Sequence, residues 1–348
     1  MPKVLIIVDK FGWSYDSIAR GIVRHNSNPT LSFDIVSLQD DPDFIERNHS
    51  GYDLVFAMGW TLIIAKKKKH NYREMLPFLE RKKLITGIHS HRSWDEYSSL
   101  PDTSPAPSIG LVDKLAQIKN INVISRRLYK IFSDAGLENL SLTENGVDAE
   151  LFKPVCPINT NKNIPLVLGF SGSTNSPKHD YLKGLSEFIL PLRDIPNVEV
   201  KVLGGRGEQQ VSRVEMPELY NQIDLYICAS TSEGFSQSVL EASSCGRGVV
   251  STKVGGCEDL IDENENGVFI KRDLAEIRER IIQLEADRML VKRLGENSRR
   301  KILEQYSWAI RVKDWLKFVE ANLPATEQGQ CASSLIGQQE SIGAAQFK

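Results

Sequence analysis

Short apolar runs rich in Val and Ile recur along the chain at residues 4–8, 33–38, 54–58, 84–88 and 123–125. A second series follows at 166–170, 198–203, 225–229, 249–251 and 268–270. Their apolarity is continuous rather than alternating, which is what strands buried on both faces show, so each series predicts a parallel sheet. Helical patterns separate the runs, and two such series in succession predict two doubly wound, Rossmann-like α/β domains. Between them lie Asn145-Gly146, a turn signal, and a polar stretch with Pro157, Asn159, Thr160, Asn161, Lys162 and Asn163. That stretch reads as a linker, placing the boundary near residue 155. The expected domains are therefore 1–155 and 156–304. Near the C-terminus Trp308, Val312, Trp315 and Val319 recur at helical spacing, which predicts an amphipathic helix within 305–323. Residues 324–348 are mostly Gln, Ser, Ala and Gly and lack the apolar content to offset ordering, so they are expected to form a disordered tail.

The densest chemistry lies between residues 224 and 261. A buried-type strand, 224–230, runs into a loop with Glu233, Gly234 and Phe235; Ser236 opens a helix that carries Glu241 and ends at Gly246. The strand 248–252 follows and leads into Gly255-Gly256. This is one right-handed crossover of a parallel sheet, whose ligands sit at the carboxyl ends of the strands. Carboxylates accept hydrogen bonds from hydroxyls, and helix-start amides at Phe235, Ser236 and Gln237 suit anionic oxygens. Gly234 removes a side chain where backbone must approach a ligand. A ligand that is both hydroxylated and phosphorylated fits this equipment.

Three further strand ends carry candidates. Residues 166–170 lead into Ser171-Gly172-Ser173-Thr174-Asn175, with Lys178 and Lys183-Gly184 beyond; residues 84–88 end at His89-Ser90-His91-Arg92; the first strand leads into Lys10-Phe11-Gly12-Trp13-Ser14. Gly12 allows a close approach, and Trp13 and Tyr15 can either stack on a sugar ring or pack in the core. The loop is not a Gly-x-Gly-x-x-Gly fingerprint, and no acidic residue ends the second strand in a ribose-binding arrangement, which disfavours a nicotinamide cofactor.

Composition narrows the partners. Lys plus Arg is 43 against 45 for Asp plus Glu, a net charge of −2, which argues against nucleic acid. The one dense basic run, 66–70, reads as a solvated helix face, with contact to anionic lipid or a polyanionic acceptor as the alternative. Five cysteines, at 156, 228, 245, 257 and 331, form no Cys-x-x-Cys pair, so neither a disulfide framework nor a zinc site is indicated and a cytoplasmic location is expected. The apolar run near Met1 is too short for a signal core or a membrane span, which leaves at most a peripheral contact with the inner face of the membrane.

The spacing Glu233-Gly-Phe, Leu240-Glu241-Ala, Cys245-Gly246, Val249-Val250 and Gly255-Gly256 resembles the signature of retaining nucleotide-sugar glycosyltransferases of family four (glycosyl transferases group 1). The resemblance covers about 84–320 and is stronger in the second half. It implies a GT-B architecture, two Rossmann-like domains facing a cleft, with the last helix crossing back onto the first. It implies that Glu233 lies beside the donor sugar and that Glu241 binds the ribose hydroxyls. Gly172, Ser173 and Lys183 would meet the diphosphate, with Lys178 the alternative lysine and Ser173 standing where the family has arginine. Backbone amides of 172–175 or Arg206 would then supply the missing positive charge. By position His89, or alternatively His91, takes the place of the family's histidine near the reacting carbon, and Gly12 and Trp13 fall on the acceptor side. Asp259 stands where glutamate is commoner, and 145–154 match the interdomain turn. The implied reaction moves a sugar, with retention, from a UDP- or GDP-linked donor to a glycan, lipid-linked or small-molecule acceptor, with no cofactor and no metal. Two competing readings are a nucleotide-sugar epimerase and a sugar-nucleotide-binding protein whose catalytic site is degraded.

Overall fold

The computed structural model describes residues 1–66, 72–90, 106–174, 176–204 and 211–324. Most of the basic run 66–70, together with His91, Arg92, Asn175, Arg206, Cys331 and the tail beyond Pro324, lies outside the described residues.

The first half contains strands β1 (Lys3–Val8), β2 (Ser32–Ser37), β3 (Leu54–Ala57), β4 (Ile64–Lys66), β5 (Tyr72–Glu74), β6 (Leu84–Ile88), β7 (Asn120–Val123) and β8 (Leu140–Leu142). Six of them form one parallel sheet in the order β2-β1-β3-β6-β7-β8, and β4 and β5 pair antiparallel beside it. The second half contains β9 (Leu166–Ser171), β10 (Val198–Leu203), β11 (Leu225–Cys228), β12 (Gly248–Thr252) and β13 (Gly267–Ile270), all parallel in the order β10-β9-β11-β12-β13. The apolar runs are central strands: Val4 to Val8 and Phe56 are fully buried, and so are Leu225, Ile227 and Val250. Continuous Val and Ile runs thus mark strands covered by helices on both faces.

Four strands differ from the expectation, the short β5 that pairs with β4 among them. β7 begins three residues before the apolar run because polar Asn120 and Asn122 belong to it; Asn122 is buried and donates from Nδ2 to Thr143 Oγ1 at 2.9 Å. β8 is a half-exposed edge strand, and β4 is a short strand followed by part of the basic run. β8 carries no buried apolar run, and β4 takes in only the last residue, Ile64, of the buried stretch 62–64.

The connection order reverses between β1 and β3 in the first sheet and between β9 and β11 in the second. Such switch points open crevices at the carboxyl ends of the strands. The loops with Gly12 and Trp13, with Gly172 and Ser173, and with Glu233 leave from those ends.

The stripe Trp308, Val312, Trp315 and Val319 lies on the helix Trp308–Glu320 and is buried. This return helix packs on the first lobe: Trp315 lies 6.1 Å from the Phe56 ring, and its Nε1 donates to Glu144 O at 3.0 Å. The Trp308 ring fills the space where a Cβ at Gly21 or Gly146 would sit. The chain passes from first lobe to second near Val147 and returns near Ser307. The two crossings are bridged to each other, Val147 N donating to Tyr306 O at 2.9 Å and Trp308 N to Val147 O at 3.0 Å.

Candidate functional site

The second lobe gathers two carboxylates around the carboxyl end of β9. Glu233 sits on the loop after β11, where Ser230 Oγ donates to its Oε1 at 2.7 Å and Lys183 Nζ to the same atom at 2.5 Å. Lys183 is the last residue of the helix Pro177–Lys183, which Gly184 ends with φ +70°. Gly172 lies over the Lys183 stem: a Cβ there would be 3.6 Å from Lys183 Cε. Ser173 beside it is exposed, as is Lys178 in the first turn of the same helix. Of the two lysines, Lys183 is the one that pairs with the loop glutamate.

Glu241 is buried in the helix Gln237–Ser244. Tyr220 OH donates to its Oε2 at 3.0 Å, and an Arg213 amine lies 3.3 Å from Oε1. Burial raises its carboxyl above the usual glutamate range, and Arg213 and Tyr220 only partly offset that. The Tyr220 hydroxyl also meets Ser171 Oγ at 3.2 Å, and Ser171 is the last residue of β9. The strand end therefore links the two acids: Glu241 through Tyr220 to Ser171, then Gly172 over Lys183, then Glu233.

The glycines brace this loop rather than leave empty space. A Cβ at Gly255, whose φ is +46°, would stand 2.2 Å from the carbonyl oxygens of both Glu233 and Gly234. Gly256 N donates to Gly234 O at 2.7 Å. Phe235 is buried with its ring 5.6 Å from that of Tyr306. Ser236 precedes the first residue of the glutamate helix, Gln237, whose Nε2 is buried with no hydrogen-bond partner. Gly234 has a role that spacing alone did not suggest, for a Cβ there would collide with the His89 carbonyl oxygen of the first lobe at 1.8 Å.

That contact is made by the His89 backbone. The ring turns inward, edge-on to Tyr15 at 5.1 Å and 6.2 Å from Trp315, with both nitrogens buried and unpartnered. Burial pushes the imidazole down to about 3, and Asn122 offsets little of it, so the ring is neutral at working pH. Tyr15 is likewise core, packed over Gly59. Gly12 adopts φ +80°, and its N–H donates to Asp16 Oδ2 at 2.8 Å. Trp13 is 55% exposed with Lys10 Nζ 5.5 Å from its ring. Between the lobes, a cavity of about 180 Å³ is lined by Gly12, Asp16, Arg20 and Arg24 on one side and Arg213 and Val214 on the other.

Beside the cleft the lobes are joined by ion pairs. Arg126 N donates to Asp259 Oδ2 at 3.0 Å, and Arg127 pairs with Glu258 while donating to Lys253 O at 3.0 Å. An Asp-x-Asp spacing does occur in the chain, Asp41-Pro42-Asp43, but it opens a first-lobe helix where Asp41 caps Phe44 N. Among the described residues no group of three His, Cys, Asp or Glu side chains is placed to hold a metal ion. No described helix is long and apolar enough to cross a membrane. Arg213, Tyr220 and Ser230 escaped the sequence reading because each acts through a tertiary contact that no local spacing announces.

Two parallel α/β sheets with a helix returning from the second to the first define the GT-B fold. Solved structures share it: sucrose-phosphate synthase from Thermosynechococcus elongatus superposes with TM-score 0.65 at 14% identity, over 92% of this chain and 99% of that one. Anabaena HepE in complex with UDP superposes with TM-score 0.66 at 16% identity, over 92% and 100%. Residues 196–301 match the model of the family described as Glycosyl transferases group 1. Among curated relatives, the N,N'-diacetylbacillosaminyl-diphospho-undecaprenol alpha-1,3-N-acetylgalactosaminyltransferase of Campylobacter jejuni is 31% identical over 231 residues, 61% of this chain and 56% of its own length. An uncharacterized glycosyltransferase of Methanocaldococcus jannaschii is 33% identical over 99 residues, 28% of this chain and 25% of its own. The chain thus spans between a quarter and somewhat over half of the length of these two relatives.

Proposed function

We propose that the protein is a retaining glycosyltransferase that moves a sugar from a UDP-linked donor to an acceptor hydroxyl. The observation that carries this reading is the convergence of Glu241, Gly172, Lys183 and Glu233 around the end of β9. Glu241 accepts hydrogen bonds from the ribose hydroxyls once Arg213 gives way. Lys183 and the amides of Ser236 and Gln237 stabilise the diphosphate, a charge that grows as the glycosidic bond breaks. Glu233 orients the sugar through its hydroxyls, itself oriented by Ser230. The acceptor oxygen bonds to the anomeric carbon on the face from which the diphosphate leaves, and a diphosphate oxygen takes the acceptor's proton. The acceptor enters beside Gly12 and Trp13, and His89 contributes its backbone carbonyl at the contact with Gly234 while its neutral ring stays in the first-lobe core.

Support for UDP comes from Anabaena HepE, solved with UDP, with UDP and glucose, and with UDP-glucose. A lipid-linked acceptor has a precedent in the Campylobacter relative, whose name specifies a diphospho-undecaprenol. Ser173, in the place of an arginine, favours one second reading, a sugar-nucleotide-binding protein without turnover.

The test is thermal unfolding with UDP, GDP and their sugars, followed by donor consumption with and without acceptors. A saturating ligand at about 100 times its Kd adds about 2.7 kcal/mol of stability, a readily measured shift. Absence of any shift with UDP or GDP sinks the donor reading; a shift without turnover selects the binding protein.

A further inference from the structure

The buried Glu241 is met from two sides. From within, the fully buried Tyr220 donates its hydroxyl hydrogen to Oε2 at 3.0 Å; on the other oxygen, Oε1, an Arg213 amine lies 3.3 Å away. The Arg213 side chain is 33% exposed against 9% for that of Glu241, so the guanidinium is the outer layer and the carboxylate lies beneath it. Arg213 also lines the cavity between the lobes, opposite Gly12. It therefore stands where a ribose hydroxyl must come to reach Oε1.

The backbone of Arg213 is held, and its tip is not. Ser212 N donates to Glu215 Oε2 at 3.0 Å and Glu215 N to Ser212 O at 3.0 Å, which closes the turn just before the helix Met216–Asn221. The guanidinium lies 5.5 Å from the Phe152 ring centroid, an attraction without the fixed direction of a hydrogen bond. A change of rotamer can move the charge without moving the chain.

Electrostatics favours such a movement. A nucleoside diphosphate brings negative charge to the loop after β9, where Gly172 lies over the stem of Lys183 and Lys183 already faces Glu233 at 2.5 Å. Ser173 on that loop carries no charge. Tyr220 joins Glu241 to Ser171, at the start of the same loop, through contacts of 3.0 and 3.2 Å. Arg213 is thus at the ribose end of the path that the diphosphate follows. Ribose hydroxyls can replace its contact with Glu241, and a guanidinium released beside a phosphate pairs with it through two parallel N–H donors. A nucleoside alone permits no such exchange, for it must strip Arg213 from Glu241 and leave the guanidinium to water.

We propose that Arg213 is a specificity residue for the donor: it holds Glu241 until ribose hydroxyls take its place, then passes to the adjoining phosphate, so that the site selects nucleoside diphosphates over nucleosides. This rests on the donor reading of Glu241 given above.

The experiment compares the native chain with Arg213→Gln and Arg213→Lys by calorimetric titration with UDP and, in competition with UDP, with uridine. Glutamine can still donate a hydrogen bond to Glu241 but offers a phosphate no charge. Arg213→Gln should therefore lower UDP affinity about ten-fold or more while leaving uridine affinity unchanged or higher. Arg213→Lys keeps the charge without the planar fork and should fall between the two for UDP; it decides the matter if the glutamine variant folds poorly. Unchanged UDP affinity in both variants overturns the proposal, because the guanidinium then never reaches the phosphate. Equal losses for uridine and UDP also overturn it, because Arg213 then serves only the ribose pocket. A native protein that binds no UDP overturns the donor reading and this proposal with it.

Discussion

Replacing Gly234 by alanine tests whether the lobes must touch for the reaction to run. Gly234 does not need left-handed backbone, since its φ is not among the positive ones, so alanine costs no local strain. The obstacle is the other lobe. Its Cβ would stand 1.8 Å from the His89 carbonyl oxygen, where non-bonded Cβ atoms keep at least 3.0 Å, so the lobes must part there by about 1.2 Å, the difference of the two. Ile124 Cδ1, at 3.2 Å from the same point, is the end of a side chain and can rotate away. Misplacement of reacting groups by about 1 Å costs up to ~100-fold in rate. The expected result is therefore a kcat about 10- to 100-fold lower with UDP affinity nearly unchanged, because the donor residues all lie in the second lobe. Steady-state kinetics and calorimetric titration with UDP measure the two quantities separately. A kcat within about two-fold of the native value would refute the claim that this contact belongs to the productive arrangement.

Three other outcomes are expected. Glu241→Ala should weaken UDP binding by about 10- to 100-fold, since a hydrogen bond to a charged group is worth about 1.5–3 kcal/mol, and an unchanged Kd would remove Glu241 from the ribose site. His89 should make the fold acid-sensitive. Its native value, about 3, lies below the unfolded 6.5, so the unfolded chain binds the proton first and stability falls as pH drops from 6.5 toward 3. At pH 5 the loss reaches about 2 kcal/mol, and His89→Asn should show less of it in urea unfolding at pH 7 and pH 5; equal losses in both proteins would count against the buried neutral ring. Trp315→Ala should cost about 3–5 kcal/mol of unfolding free energy, because the indole is fully buried against Phe56 and Trp308; a loss below about 1 kcal/mol would mean the return helix is held elsewhere.

The parallel sheets were legible in the sequence because strands covered on both faces cannot afford polar residues, and their runs stand out from the helices between them. Where a strand carries a satisfied polar side chain, as Asn122 does, or lies at an edge, as β8 does, that signal fades. The positions of Glu233 on a loop and Glu241 on a helix could likewise be read from spacing, since both are local matters. What spacing could not show is which way a side chain turns. His89 sits at the expected strand end, yet its ring prefers the apolar space beside Tyr15 and Trp315 to the cleft. Gly255 could be read only as part of the turn after a strand, and in the fold it gives way to two carbonyls of the acidic loop.

The paired crossings at Val147 and Ser307 have a mechanical consequence. Two independent connections would let one lobe twist, slide or tilt against the other. Here the outgoing and returning segments are fastened side by side, so they must swing as a single pivot. That pivot adjoins the inter-lobe cavity, whose wall with Gly12 includes Asp148 and Trp308, so swinging the lobes reshapes it at its base.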